Sequence, residues 1–228
     1  MTQDNISRFK SICLSRGASP QTINGYLRHI KAALAHAAEG GLIDKKPTIK
    51  MVPVNRERMS ERIVSPGDLK MILGAAEKRS PDFARYLTLL LWTGGRRREI
   101  LNLTWPAINF DRRSVLLTKT KGRKDRRVPL LAGAISCLEP VKKDIGRVFP
   151  DWHPDTVSKW FHEIAKGLGI KARLHDLRHS AATYMLKSGI PVQAVKEILG
   201  HANLSTTMIY SHVLDDVLQA EMGKMKIE

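Results

Sequence analysis

Apolar residues along this chain recur mostly at intervals of three and four, the period of a helix that buries one face. Ile23, Leu27, Ile30, Leu34 and Ala37 follow that spacing after Ser19-Pro20, an N-cap followed by a first-turn proline. Gly40-Gly41 stops the helix. Over residues 44–62 the periodicity fades, polar and basic side chains dominate, and Pro47 and Pro53 intervene, which predicts a linker. The helical pattern resumes at Ser65-Pro66 through Leu69, Ile72, Leu73 and Ala76. Pro81 opens another helix through Phe83, Leu87, Leu90 and Leu91 that ends at Thr93-Gly94-Gly95, and residues 96–103 read as a restart. Two short runs rich in β-formers, SVLLT at 114–118 and RVPL at 127–130, predict strands flanking the basic, glycine-containing turn KTKGRKDR. Residues 156–168, 175–187, 191–199, 205–211 and 214–225 predict further helices. The expected fold is mostly α with a small antiparallel β-sheet (α+β). A short helical region over 1–55, with a linker to about 62, precedes a larger domain over 63–228.

Composition narrows the function. With 43% apolar residues the chain is not of disordered type. No apolar run approaches the ~18 residues of a membrane span. The opening MTQDNISRFK lacks the apolar stretch of a secretion signal. A soluble, cytoplasmic and nucleoid-associated protein with no membrane partner is expected. Cys13 and Cys137 are isolated, without metal-ligand spacing, so neither a disulfide framework nor a zinc site is expected. The formal net charge of +16 points to a polyanionic partner. Between Arg96 and Arg127 eleven basic residues stand against three acidic ones, so the excess is concentrated.

Three segments carry candidate chemistry. In TGGRRREIL, at 93–101, two glycines allow a sharp helix end and close backbone approach to a ligand. Arg96 follows that turn, able to present a bidentate fork to a phosphate, and Glu99 lies three residues on, on the same helical face. Arg97 and Arg98 are neighbouring candidates for phosphate contact. In HDLRH, at 175–179, His175 and Arg178 share one helix face. In LGHANLSTTMIYSH, at 199–212, Gly200 ends a helix, His201 stands in the turn, Ser205 caps the next helix and Tyr210 lies on it. Taken singly, each has a plain structural reading: a solvated basic helix start, a surface histidine, a core tyrosine. A phenol of pKa ~10 needs nearby cations before it can attack a phosphate at neutral pH.

Taken in order, these segments resemble those of the tyrosine recombinases, also called the phage integrase family. The shared patterns are TGxRxxE, a K-G turn followed by RxVPL, HDLRHSxAT, and LGHxxxxTTxxYxHV. The resemblance runs from about Ile63 to the C-terminus and more weakly over the helix near residues 20–39. It implies that Arg96 and Arg178 clamp a scissile phosphate of double-stranded DNA, and that His175 donates to, or exchanges a proton with, the nucleophile or phosphoryl oxygen. It implies Lys121 as the acid for the leaving 5′ oxygen, with Lys119 as its rival. His201 would bond a non-bridging oxygen, Tyr210 would attack, and Glu99 would support the arginines. Arg97, Lys119, Arg123, Lys124 and Arg126 are expected to contact DNA. Neither ATP nor metal would be needed for rejoining. Assembly as a tetramer on DNA is implied, with the segment 214–226 expected to dock on a neighbouring protomer.

Two other classes fit parts of the pattern. A DNA-binding relative without catalysis fits the short N-terminal region, and strand passage of the type IB topoisomerase kind would use similar chemistry. The intact set of six residues weighs against the first, and the LGH…TT…Y spacing against the second.

Overall fold

The computed structural model describes residues 3–46, 48–54, 63–118 and 125–200. The chain divides into two compact units, Met1–Ser60 and Glu61–Glu228.

The first unit pairs α1 (Gln3–Ser15) with α2 (Pro20–Glu39). The Ser19 hydroxyl accepts from the Thr22 amide at 3.2 Å, so the expected cap forms and Pro20 occupies the first turn. Ile6, Ile23, Leu27 and Ile49 make the core. The Asn24 side chain donates to the Val52 carbonyl and accepts from its amide, both at 2.8 Å, so it pins an extended segment to α2 as a strand neighbour would. Helix α1 was not read from the sequence. Its signal is there, in Ile6, Phe9 and Cys13 at helical spacing, but polar residues surround it.

The second unit is built on α3 (Pro66–Arg79) and α4 (Pro81–Thr93). Ser80 joins them directly: its amide donates to the Ala76 carbonyl, and its hydroxyl accepts from the Phe83 amide at 3.4 Å. Then come α5 (Arg97–Leu101), a 3-10 turn at Trp105–Ala107, and the strands β1 (Ile108–Asn109), β2 (Ser114–Leu117) and β3 (Arg126–Pro129). The sheet is antiparallel in the order β1-β2-β3, with Ser114 opposite Pro129 and Leu117 opposite Arg126. Two strands were expected; the third, β1, is only two residues long and pairs Ile108 with Val115. The unit continues through α6 (Ala132–Leu138), α7 (Pro154–Gly167), α8 (Asp176–Lys187) and α9 (Val192–Leu199). Helix α6 also escaped the sequence reading, because its seven residues are too short to show a period.

The main core holds Phe83, Tyr86 and Phe161, all fully buried, with Trp152 and Trp160 packed against it. Phe83 meets Trp160 edge-on at 5.4 Å and Tyr86 meets Phe149 at 5.5 Å. Burying each such side chain contributes about 1.5–3 kcal/mol. The Tyr86 hydroxyl donates to the Arg97 carbonyl at 3.2 Å, so this cluster supports the start of α5 from below. Helix α8 is enclosed, with Leu177, Arg178, Ser180, Ala181, Ala182 and Thr183 all buried. The chain entering the unit is stapled to it: the Val64 amide donates to the Ser180 hydroxyl at 2.9 Å, and the Tyr184 hydroxyl donates to the Val64 carbonyl at 2.6 Å. Among the described residues no helix is long and apolar enough to cross a membrane.

Candidate active site

Helix α4 ends at Gly94, whose φ of 58° is left-handed. A Cβ there would lie 2.5 Å from Leu199 Cδ2, so glycine is required twice, by conformation and by the close approach of α9. The Thr93 hydroxyl accepts from the Gly95 amide at 3.1 Å, which tightens the turn. Arg96 is the N-cap of α5, and its amide donates to Glu99 Oε2 at 2.9 Å. Its guanidinium turns back to the same carboxylate, with Nη1 donating to Oε1 at 2.9 Å.

Glu99 also takes both terminal nitrogens of Arg126, at 3.0 and 2.7 Å. The two side chains are 5% and 9% exposed, so this is a buried pair made across α5 and β3. Burial alone would raise the Glu99 pKa. The bonds and charges of Arg126 and Arg96 outweigh it and hold the carboxyl down at about 2.

The third side of the site is the end of α9. Its final carbonyls have no partner within the helix and carry the negative end of its dipole. Three guanidiniums meet them. Arg126 Nε donates to the Ile198 carbonyl at 2.6 Å, Arg178 Nη2 to that of Leu199 at 2.8 Å, and Arg96 Nη2 to that of Gly200 at 3.1 Å. Arg178 also donates to the Gly94 carbonyl, closing the contact between α4, α8 and α9. Arg96 and Arg178, 82 residues apart in the chain, thus bond adjacent carbonyls.

His175 stands at the N-cap position of α8 without a side-chain capping bond, and buried Asp176 fixes that entry by accepting from the Arg173 amide at 2.8 Å. The His175 ring packs edge-on against His179, centroids 4.8 Å apart. Desolvation, then the neighbouring His179 and the Arg178 cation, lower its pKa to about 4, so the ring is neutral at pH 7. Burial also lowers the pKa of His179. A cavity of ≈ 260 Å³ is lined by Gly95, Arg97, Ser158, His175 and Arg178, with apolar Leu90 and Leu174.

Of the residues singled out in the sequence, Arg96, Glu99, His175 and Arg178 come together here. Arg97 borders the cavity but turns toward α7, with Nη1 donating to the Pro154 carbonyl, Asp155 Oδ1 and Ser158 Oγ at 3.0, 3.2 and 2.7 Å. Arg126, expected on a DNA-facing hairpin, is instead buried against Glu99 and α9. Lys119, Lys121, Arg123, Lys124, His201 and Tyr210 lie outside the described residues, as do the helices expected at 205–211 and 214–225. The part played by the α9 carbonyls had no sequence signal, since every residue carries one. Arg126 did carry a signal: it starts a strand, yet alternation there could not say which way it faces.

The model of the phage integrase family matches residues 62–216. A tyrosine recombinase of Pseudothermotoga lettingae is 34% identical over 173 residues, covering 72% of this chain and 60% of that protein. One from Thermosipho africanus is 31% identical over 211 residues, covering 87% of this chain and 75% of that protein. Among solved structures, the Tn1549 transposon integrase in complex with transposon right end DNA shares the fold, with a TM-score of 0.80 at 19% identity, over 98% of this chain and 85% of that one. The chain spans less than two thirds of the Pseudothermotoga protein, but the family match covers most of its own length. The buried arginines, the histidine at the head of α8 and the glycine-ended α9 therefore sit in the framework of a known family, and this chain belongs to the phage integrase family, that of the tyrosine recombinases.

Proposed function

We propose that this protein is a site-specific DNA recombinase that cleaves and rejoins strands of double-stranded DNA through a 3′-phosphotyrosine intermediate. The observation that carries this reading is the convergence of Arg96 and Arg178 on adjacent carbonyls beside neutral His175. Two cations fixed side by side by protein contacts are preorganised for one phosphate whose negative charge grows in the transition state. A neutral imidazole can accept a proton or donate a hydrogen bond at pH 7.

In this mechanism the Tyr210 oxygen attacks phosphorus as its proton leaves, with His175 as the acceptor. The bond from phosphorus to the 5′ oxygen breaks, and Lys121 protonates that oxygen. Arg96 and Arg178 hold the non-bridging oxygens, with His201 adding a donor. Rejoining reverses each step with a 5′ hydroxyl as attacker. The ester is conserved in the phosphotyrosine bond, so the exchange draws on no nucleotide hydrolysis. Exchange between two duplexes calls for four such sites, so the working form is a tetramer on DNA.

The test is covalent capture. Sheared host DNA is incubated with the full chain, detergent-stable complexes are recovered and sequenced, and a nicked duplex is built from the recovered site. Wild type is expected to form an adduct and Tyr210→Phe none. Tight binding by both without an adduct would assign the chain to non-catalytic DNA binding.

A further inference from the structure

Arg126 belongs to none of the roles above, yet all three nitrogens of its guanidinium are engaged beside the site. It grips both oxygens of Glu99, at 3.0 and 2.7 Å, and its Nε donates to Ile198 at 2.6 Å. Its side chain also lies directly against Gly200: a Cβ on that residue would come within 3.0–3.1 Å of Arg126 Cδ, Nε and Nη1. Gly200 has a φ of 66°, so it suits glycine by conformation as well. Three segments thus meet at one residue, two through its side chain and one through its backbone. Through Glu99 it reaches Arg96. Through its own backbone, paired opposite Leu117, it begins the strand that follows the basic segment containing Lys121. Through Ile198 and Gly200 it fixes the end of α9, from which the chain runs on to His201 and Tyr210.

We propose that Arg126 is a positioning residue for the cleavage reaction, one that sets the end of α9 and the start of β3 in register with Arg96. This rests on the recombinase reading given above. A surface cation that touched DNA would act on affinity. A buried fork that fixes where reacting groups stand acts on rate, because misplacement by about 1 Å costs on the order of 100-fold. Lysine cannot replace it, since an ammonium cannot hold two carboxylate oxygens and a carbonyl in one plane.

The experiment compares wild type, Arg126→Ala, Arg126→Lys and Gly200→Ala as full chains, on the nicked duplex recovered by covalent capture. Two quantities are read: Kd with its salt dependence, and the single-turnover rate of adduct formation at saturating protein. Positioning predicts a rate loss of about 10- to 100-fold in both Arg126 variants. It predicts Kd and its salt slope within about two-fold of wild type, because no phosphate contact is removed. Gly200→Ala, which pushes a methyl group into Arg126, should show the same split, and its effect should shrink in an Arg126→Ala background. Thermal melts establish that each variant is folded at the assay temperature, and Arg126→Lys serves if Arg126→Ala is not. Wild-type rates in folded Arg126 variants would overturn the inference while leaving the recombinase reading intact. So would a weakened Kd with a shallower salt slope at unchanged rate, which would make Arg126 a phosphate ligand. Failure of wild type to form any adduct would remove the recombinase reading, and this inference with it.

Discussion

Arg126 and Glu99 face each other fork to fork, with both terminal nitrogens of one against both oxygens of the other, at 3.0 and 2.7 Å. Glu99 thereby holds two buried or half-buried arginines on one carboxylate. Removing it strands charge, and breaking a buried pair from one side typically costs about 3–5 kcal/mol. Glu99→Ala is therefore expected to lower unfolding free energy by roughly that amount. Glu99→Gln, which keeps one acceptor, should lose less. Urea titration separates the two, and equal stability of Glu99→Ala and wild type would refute the role given to the carboxylate.

Acid should destabilise the fold in two overlapping windows. Glu99 has a folded pKa of about 2 against an ordinary 4.5, so its contribution is complete above 4.5 and is lost as pH falls toward 2. His175 has a folded pKa of about 4 against 6.5, so the unfolded chain takes up the proton first. Its contribution is complete above 6.5 and is lost between 6.5 and 4. His175 keeps solvent exposure as a residue although its ring is partly desolvated against His179, so screening makes the upper window the weaker. Melting temperatures taken from about pH 8 down to about pH 2, which brackets both linkage windows, should fall, with Glu99→Gln flattening the lower part. A curve of the same shape in that variant would rule this out.

Gly94 offers a purely steric test. Alanine there carries left-handed strain and drives a methyl group into Leu199. Strain and overpacking together predict a loss of roughly 2–5 kcal/mol, read as a lower urea midpoint. An unchanged midpoint would mean that α4 and α9 do not approach as described.

Arg96→Ala and Arg178→Ala should each slow adduct formation at least ~100-fold, the usual scale for losing one preorganised donor. Their stabilities should differ. Arg178 is 5% exposed and serves the Gly94 and Leu199 carbonyls, whereas the Arg96 side chain is 30% exposed. Arg178→Ala is thus expected to melt at the lower temperature. Near-normal cleavage by either would contradict the assigned clamp.

DNA affinity should fall steeply with salt, as phosphate neutralisation by a chain of net charge +16 requires. Filter binding across a salt series measures the slope, and a flat response would argue against a phosphate-gripping surface.

Much of the helical framework was legible because its signals are local. Ser19-Pro20, Ser65-Pro66 and Pro81 mark helix starts through capping hydroxyls and a fixed proline φ. Helix α1 and helix α6 were not legible, one for its sparse apolar face and one for its length. Arg96, His175 and Arg178 were legible from spacing combined with family resemblance. The burial of Arg126 was not, because its surroundings come from residues 27 and 72 positions away. Local pattern cannot tell a cation facing solvent from one inserted between a carboxylate and a helix end.

The staple at Val64 has a mechanical meaning. Ser180 and Tyr184 hold that residue by its amide and its carbonyl, so the segment leading into α3 is a tether with its anchor on α8. Ser180 stands two residues beyond Arg178. Tension applied to the backbone at Val64 is therefore borne by the helix that carries the buried arginine.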